Sequence, residues 1–229
     1  MAGLRVERGD GGVVEVWLDR PSKRNALHRE VVEALADVFA LGGARAFVFG
    51  SSEPGSVFSA GADLTLTNAE RAEVSDLLYR LYKRMLTTDA PIIAVVEGAA
   101  VGGGAQLALA SDLRIGGAAA TFRFVGPGHG LAVGAWGLPS LIGRGRALEL
   151  CLTMRPVAAE EALELGILDR LEDDPRAAAL ALARDIRCLD ADAVARLKSI
   201  TTTAVGLIAA LEEERRGNYE TWSGAVAGA

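Results

Sequence analysis

Three consecutive glycines, Gly102-Gly103-Gly104, stand between an apolar, β-branched run (Ile92-Ile93-Ala94-Val95-Val96) and a run of good helix formers (Ala105 to Ala110). Glycine has no Cβ, so its backbone N–H can approach a ligand closely. A helix that starts there aims its unpaired N–H groups and the positive end of its dipole at whatever is bound. Such a junction binds an anion, or stabilises negative charge as it develops on an oxygen. A close-packed turn is the other reading of the same glycines. The G-x-G-x-x-G spacing is absent and no P-loop lysine follows, so neither nucleotide fingerprint applies. Proton-exchanging groups nearby are few. Gln106 is an amide that does not titrate. His129, in a later glycine-rich loop, has the right intrinsic pKa for acid–base work. A loop histidine with no catalytic task is the alternative. Ser59 has no histidine at a recognisable spacing and reads weakly as a nucleophile.

The elements that must position these groups follow from periodicity. Leu4 to Glu7 and the alternating Val13 to Leu18 read as a hairpin across Gly9-Asp10-Gly11-Gly12. His28 to Leu41 and Glu70 to Leu86 carry apolar residues at helical spacing. Ala46-Phe47-Val48-Phe49 reads as a buried strand, and a Ser/Gly-rich loop runs from Gly50 to Asp63. Short strands are expected at Leu113 to Ile115, Thr121 to Phe124 and Ile167 to Leu171, with a glycine-rich loop from Gly126 to Gly137. Helices are expected at Ala147–Thr153, Ala158–Leu165, Pro175–Arg187, Asp192–Thr202 and Leu207–Ser223. Strands interleaved with helices, then a helical tail, predict an α/β domain with a helical C-terminal layer.

Composition sets the outer bounds. The chain has 229 residues, 50% of them apolar, enough for one large domain. A formal charge of −6 argues against a nucleic-acid partner and gives no reason to expect an anionic membrane surface. The 2 cysteines, Cys151 and Cys188, lack zinc or redox spacing, which suits a reducing, cytoplasmic setting. The opening residues lack a signal-peptide apolar segment. Pro91 to Ala110 is long and mostly apolar, but Glu97 and the glycines break it and Asp112 follows, so no membrane span is expected.

Two segments go beyond a generic turn. Phe58-Ser59-Ala60-Gly61-Ala62-Asp63-Leu64 and Val96-Glu97-Gly98-Ala99-Ala100-Val101-Gly102-Gly103-Gly104-Ala105-Gln106-Leu107 together resemble the enoyl-CoA hydratase/isomerase (crotonase) superfamily. Ser111 to Ile115, Arg20 to Leu27 and Ala158 to Leu168 match in order, so the resemblance covers roughly residues 4 to 200. It implies a crotonase-like fold of stacked β-β-α units over residues 1–190, a core that binds acyl-CoA. Residues 191–229 would be a C-terminal helical region, shorter than usual for the family, that mediates a homotrimer or hexamer.

The resemblance also implies a site. The N–H groups of Ala62 and Gly103 would hold the thioester oxygen, stabilising its developing charge by about 3–4 kcal/mol per donor. Ala60 would offer its carbonyl to adenine, and Arg24, with Arg20 and Lys23, would meet CoA phosphates; a solvated basic turn is the alternative. Asp63 reads as a loop-fixing residue, with Leu64 beside it. Trp136, Phe122, Phe124 and Leu131 would line an apolar acyl pocket, unless they are ordinary core. No cofactor is implied beyond coenzyme A as part of the substrate, and no metal. The chain departs from the family at the two hydratase glutamates, whose positions carry Gln106 and Gly126. Neither residue exchanges protons near neutral pH. Two readings stay open: an enzyme of acyl-CoA (fatty-acid) metabolism that stabilises a thioester enolate, and a non-catalytic acyl-CoA-binding protein.

Overall fold

The computed structural model describes residues 3–63 and 66–222. A hairpin of β1 (Leu4–Arg8) and β2 (Val13–Leu18) opens a six-stranded sheet in the order β1-β2-β3-β4-β6-β9. The added strands are β3 (Ala46–Ser51), β4 (Ile92–Val96), β6 (Leu113–Gly116) and β9 (Arg170–Leu171), all parallel to β2. Strands buried on both faces read as continuous apolar runs, which is why β3 and β4 are so plain in the sequence. Val48, Ile93, Val95 and Ile115 point to one face, against Ala179 and Ala183 of α7 (Pro175–Ile186). Phe47, Phe49, Ala94 and Val96 point to the other, against α1 (Arg29–Val38) and α2 (Asn68–Thr87). A capping box of Thr67 and Glu70 starts α2.

A second, three-stranded sheet sits beyond the C-terminal end of β4. It pairs β5 (Ala99–Val101) with the central β7 (Thr121–Arg123), which pairs in turn with β8 (Val157–Ala158). β5 is too short for a periodicity signal, and it aims the chain into α3 (Gly103–Ala110). α3 is buried apart from its first residue, Gly103. A Cβ on Gly104 would lie 2.4 Å from the Ser59 carbonyl, so glycine is what lets α3 approach the 58–63 segment.

The later helices are α4 (Leu138–Ile142), α5 (Arg144–Thr153), α6 (Ala159–Leu165), α8 (Ala191–Ala204) and α9 (Leu207–Trp222). Pro91 to Ala110, long enough for a span, is divided among β4, β5 and α3. Among the described residues no single helix is long and apolar enough to cross a membrane. α9 lies against α2, and its Asn218 is in the wall of the cavity described below. α8 is anchored by Lys198, whose buried ammonium donates to Asp112 (2.7 Å) and to the carbonyls of Met85 (2.8 Å) and Ala90 (3.3 Å). Lys198→Ala leaves the half-buried Asp112 without its cation and is expected to destabilise the fold by about 2–4 kcal/mol, toward the lower end for a broken buried pair. An unchanged urea midpoint would refute that anchor.

Candidate active site

The two sequence motifs become neighbours because the first hydrogen-bonds both to β5, which lies within the second, and to the turn before α1. Ser59 N–H donates to the Ala99 carbonyl (3.2 Å), and Val101 N–H donates to the Ser59 carbonyl (2.9 Å). On the other side, Ala60 N–H donates to Arg24 (3.0 Å) and Leu27 N–H to Gly61 (2.8 Å). Asn25, at φ 51°, fixes that turn through its amide, which donates to Ser51 Oγ (3.0 Å) and the Val57 carbonyl (2.9 Å). Ser59 Oγ is engaged with the Asn25 carbonyl (2.8 Å) and Gly61 N–H (3.2 Å), a structural task and not a nucleophile's.

Gly61 has φ +85°, and a Cβ there would come within 2.6 Å of the Val101 carbonyl and 3.2 Å of Gly103 N. The motif therefore needs glycine at 61 to pass so close to the start of α3. Ala62 and Gly103 both lie in the wall of one cavity of about 180 Å³. Gly103 is the first residue of α3, where an N–H has no partner within the helix. Among the described residues neither N–H is given an acceptor by the chain. The walls are mainly apolar, with Leu78, Val101, Val125, Leu131 and Val133 among them. A wider groove of about 700 Å³ between α2 and α9 is walled mainly by charges engaged in ion pairs, such as Arg215 with Asp76 (2.7 Å), and lies apart from both motifs.

The other predicted site residues divide. Ala60, Gln106 and Gly126 line the cavity, and His129 lines its exposed rim. Arg24 lies outside the cavity wall, exposed, with its carbonyl bound by Ala60. Asp63 also lies outside the wall, near His28. Leu64 falls outside the described residues. Trp136 does not line the cavity: it is buried behind Gln106, stacked on Tyr82, and its indole N–H donates to Gln106 Oε1 (2.7 Å). Phe122 and Phe124 are core. Of the four proposed lining residues only Leu131 reaches the cavity. Glycine at 126 is structural: a Cβ there would meet the Leu131 carbonyl at 2.5 Å and Val133 N at 2.7 Å.

Sequence reasoning missed the polar end of the cavity. Tyr79 of α2 donates its hydroxyl to Glu214 of α9 (2.6 Å) and accepts from the Asn218 amide (2.7 Å). Asn218 also binds both the N–H (2.9 Å) and carbonyl (2.6 Å) of Ala132. Glu214 further accepts from the N–H groups of Gly134 (3.2 Å) and Trp136 (2.9 Å), so α9 holds the 130–137 loop in place. Leu211, Glu214 and Asn218 form one buried stripe of α9. In the sequence, Glu214 sits inside Glu212-Glu213-Glu214-Arg215-Arg216, which reads as a solvated charge run.

Burial pushes the Glu214 carboxyl up to about 7 from its ordinary 4.5, against the hydrogen bonds from Tyr79 and the loop N–H groups that favour the anion. Between those two values the folded chain holds the proton more tightly than the unfolded chain does. Stability from this group is therefore greatest at low pH and falls as pH rises through about 7, by about 3 kcal/mol in all. Glu214→Gln is expected to flatten that part of a urea-midpoint profile; an identical slope in the variant would refute the assignment.

Comparison with known proteins follows the same lines. Residues 8–224 match the enoyl-CoA hydratase/isomerase family model. A probable enoyl-CoA hydratase of Mycobacterium tuberculosis is 38% identical over 165 residues, 69% of this chain and 67% of that protein. The human mitochondrial enoyl-CoA hydratase domain-containing protein 2 is 39% identical over 173 residues, 70% of this chain and 58% of that protein. The crystal structure of an enoyl-CoA hydratase/isomerase from Xanthobacter autotrophicus Py2 superposes with a TM-score of 0.86 at 27% identity, covering 97% of this chain and 88% of that one.

Proposed function

The chain belongs to the enoyl-CoA hydratase/isomerase family, and we propose that it binds an acyl-CoA thioester with the carbonyl oxygen between the N–H groups of Ala62 and Gly103. The observation that carries this reading is the presence of both Ala62 and Gly103 in the wall of one largely apolar cavity, next to the start of a buried helix. Donors fixed in advance stabilise charge on that oxygen without reorganising. Coenzyme A enters as part of the substrate. The Ala60 carbonyl, given no donor among the described residues, is offered to the adenine edge, and Arg24 to the phosphates. A cavity of about 180 Å³ is near the size that takes a benzene ring, so it suits a short acyl group better than a long one.

This reading puts ordinary hydration in doubt. Gln106 is an amide held by Trp136, and position 126 has no room for any side chain. Those two observations also favour the second reading, binding without turnover. One pair of measurements separates the possibilities: calorimetric titration with butyryl-CoA, and hydration of crotonyl-CoA followed by absorbance. Binding is expected, and hydration is expected to stay at background. Strong hydration would overturn the doubt, and no binding would overturn the site. Assembly as a trimer is part of the proposal. Leu197 and Ile200, 64% and 65% exposed on α8, offer the face for it, and a monomeric sedimentation coefficient would remove that part.

A further inference from the structure

We propose that Tyr79 and Glu214 form a proton relay, in which the Tyr79 hydroxyl exchanges a proton with the carbon chain of the bound thioester and Glu214 is the terminal base. The relay rests on the reading of the cavity as a thioester site. Tyr79 is in the cavity wall, and Glu214 stands behind it, 2.6 Å from the phenolic oxygen. The Asn218 amide donates to that oxygen, which turns the phenolic hydrogen toward Glu214. The Tyr79 ring meets the Tyr82 ring edge-on at 5.6 Å, and Tyr82 donates to the Gly103 carbonyl (3.0 Å). The relay thus stands one side chain from the oxyanion donor.

The other titratable groups of the wall do not compete. Arg71 presents a guanidinium, which has donors and no acceptor, Tyr82 is committed to Gly103, and His129 is at the exposed rim. The groups facing Glu214 are Tyr79 and Tyr82 of α2, Cys151 of α5, and the N–H groups of Gly134 and Trp136. Among the described residues no lysine or arginine pairs with it. Burial, and then the charge of Glu214, push the Tyr79 phenol far above its ordinary range, so it stays protonated and passes protons in concert.

The step balances. The C–H bond beside the thioester carbonyl breaks, and its electron pair forms the enolate, with charge on the oxygen held by Ala62 and Gly103. The released proton bonds to the Tyr79 oxygen as the phenolic proton passes to the Glu214 carboxylate. In return, Glu214 gives its proton back to Tyr79, which protonates the chain. Return at the same carbon gives proton exchange. Return at the far end of the dienolate from a 3-enoyl ester gives the conjugated 2-enoyl ester. No oxidant, reductant or second substrate takes part.

The test uses the full-length protein in D₂O with butyryl-CoA, reading loss of the α-proton signal by NMR, and 3-hexenoyl-CoA, reading conjugation by absorbance. Exchange is expected, with a rate that rises through neutral pH as Glu214 ionises. Tyr79→Phe is expected to lower the rate about 100-fold or more with butyryl-CoA affinity kept. Glu214→Gln should lower it similarly and erase the pH limb, while Glu214→Asp restores part of both. Binding without exchange in the unmodified protein overturns the relay and leaves the thioester site standing. Failure to bind overturns the site, and the relay with it. A rate independent of pH between about 5.5 and about 8.5 also overturns it, a result that needs no variant to fold. So does wild-type exchange by Tyr79→Phe.

Discussion

Replacing Gly103 by proline is expected to lower any thioester turnover about 100- to 1,000-fold, the loss that follows removal of one oxyanion donor. Proline is tolerated at the first position of a helix, where its missing N–H costs no intrahelical bond. Gly103 holds that position in α3. Its Cβ would meet Leu78 and Tyr82 at 3.4 Å, ordinary contact distances. Proline removes the donor and also puts its ring Cδ where the N–H hydrogen pointed. Gly103→Ala keeps the N–H with a similar Cβ, so the difference between the two variants reports the loss of the donor together with that added carbon. If the chain only binds, the same pair should differ about tenfold in butyryl-CoA affinity, the equivalent of one net hydrogen bond. Equal behaviour of the two variants would remove Gly103 N–H from the site. Gly61→Ala approaches the same donor from outside. Its methyl group would press on the Val101 carbonyl and Gly103 N at a positive φ, costing about 1–3 kcal/mol of stability as well as binding.

The second large effect is a failure. Placing glutamate at both positions, Gln106→Glu with Gly126→Glu, is expected to yield no crotonyl-CoA hydration and a fold weaker by about 1–3 kcal/mol or more. At 126 the first side-chain atom meets backbone on two sides, so the 126–137 loop must move. At 106 a carboxylate would enter the network that already contains Glu214. Gly134 N–H serves both sites now, at 3.4 Å from Gln106 and 3.2 Å from Glu214. Two carboxylates sharing such a site do not both ionise, so one keeps its proton. Measurable hydration by the double variant at wild-type stability would show that the loop has room after all. Packing at both positions suits the residues present: Trp136, Gln106 and Glu214 form a set that fits an amide, and Leu131 and Val133 occupy the volume beside a bare backbone.

Some of this was legible in the chain because it is local. The strand-glycine-helix junction follows from β-branched residues, a flexible triplet and an alanine-rich run, each acting on its own backbone. The ordered motifs placed Ala62 and Gly103 together, and the structure puts both in one cavity wall. Trp136 was misplaced because an aromatic residue in a loop carries no sign of which side of its neighbour it will take. Its indole N–H found Gln106, and the ring went to the core. β5 was missed because three residues cannot show a period.

What the sequence determined by itself is the family, the central sheet, the glycine path that brings 58–63 to the start of α3, and the presence of Gln106 and Gly126, which exchange no proton near neutral pH. What only the tertiary structure decided is the far end of the cavity. Tyr79 and Glu214 are 135 positions apart, and nothing local marks either one. Glu214 is one of three consecutive glutamates, and only the packing of α9 on α2 selects which of them leaves water. Glu212 and Glu213 stay toward solvent with arginine partners, while Glu214 turns inward on the stripe of Leu211 and Asn218. Removing that one carboxyl from water raises its pKa to about 7, because desolvation penalises the anion more than its hydrogen bonds repay.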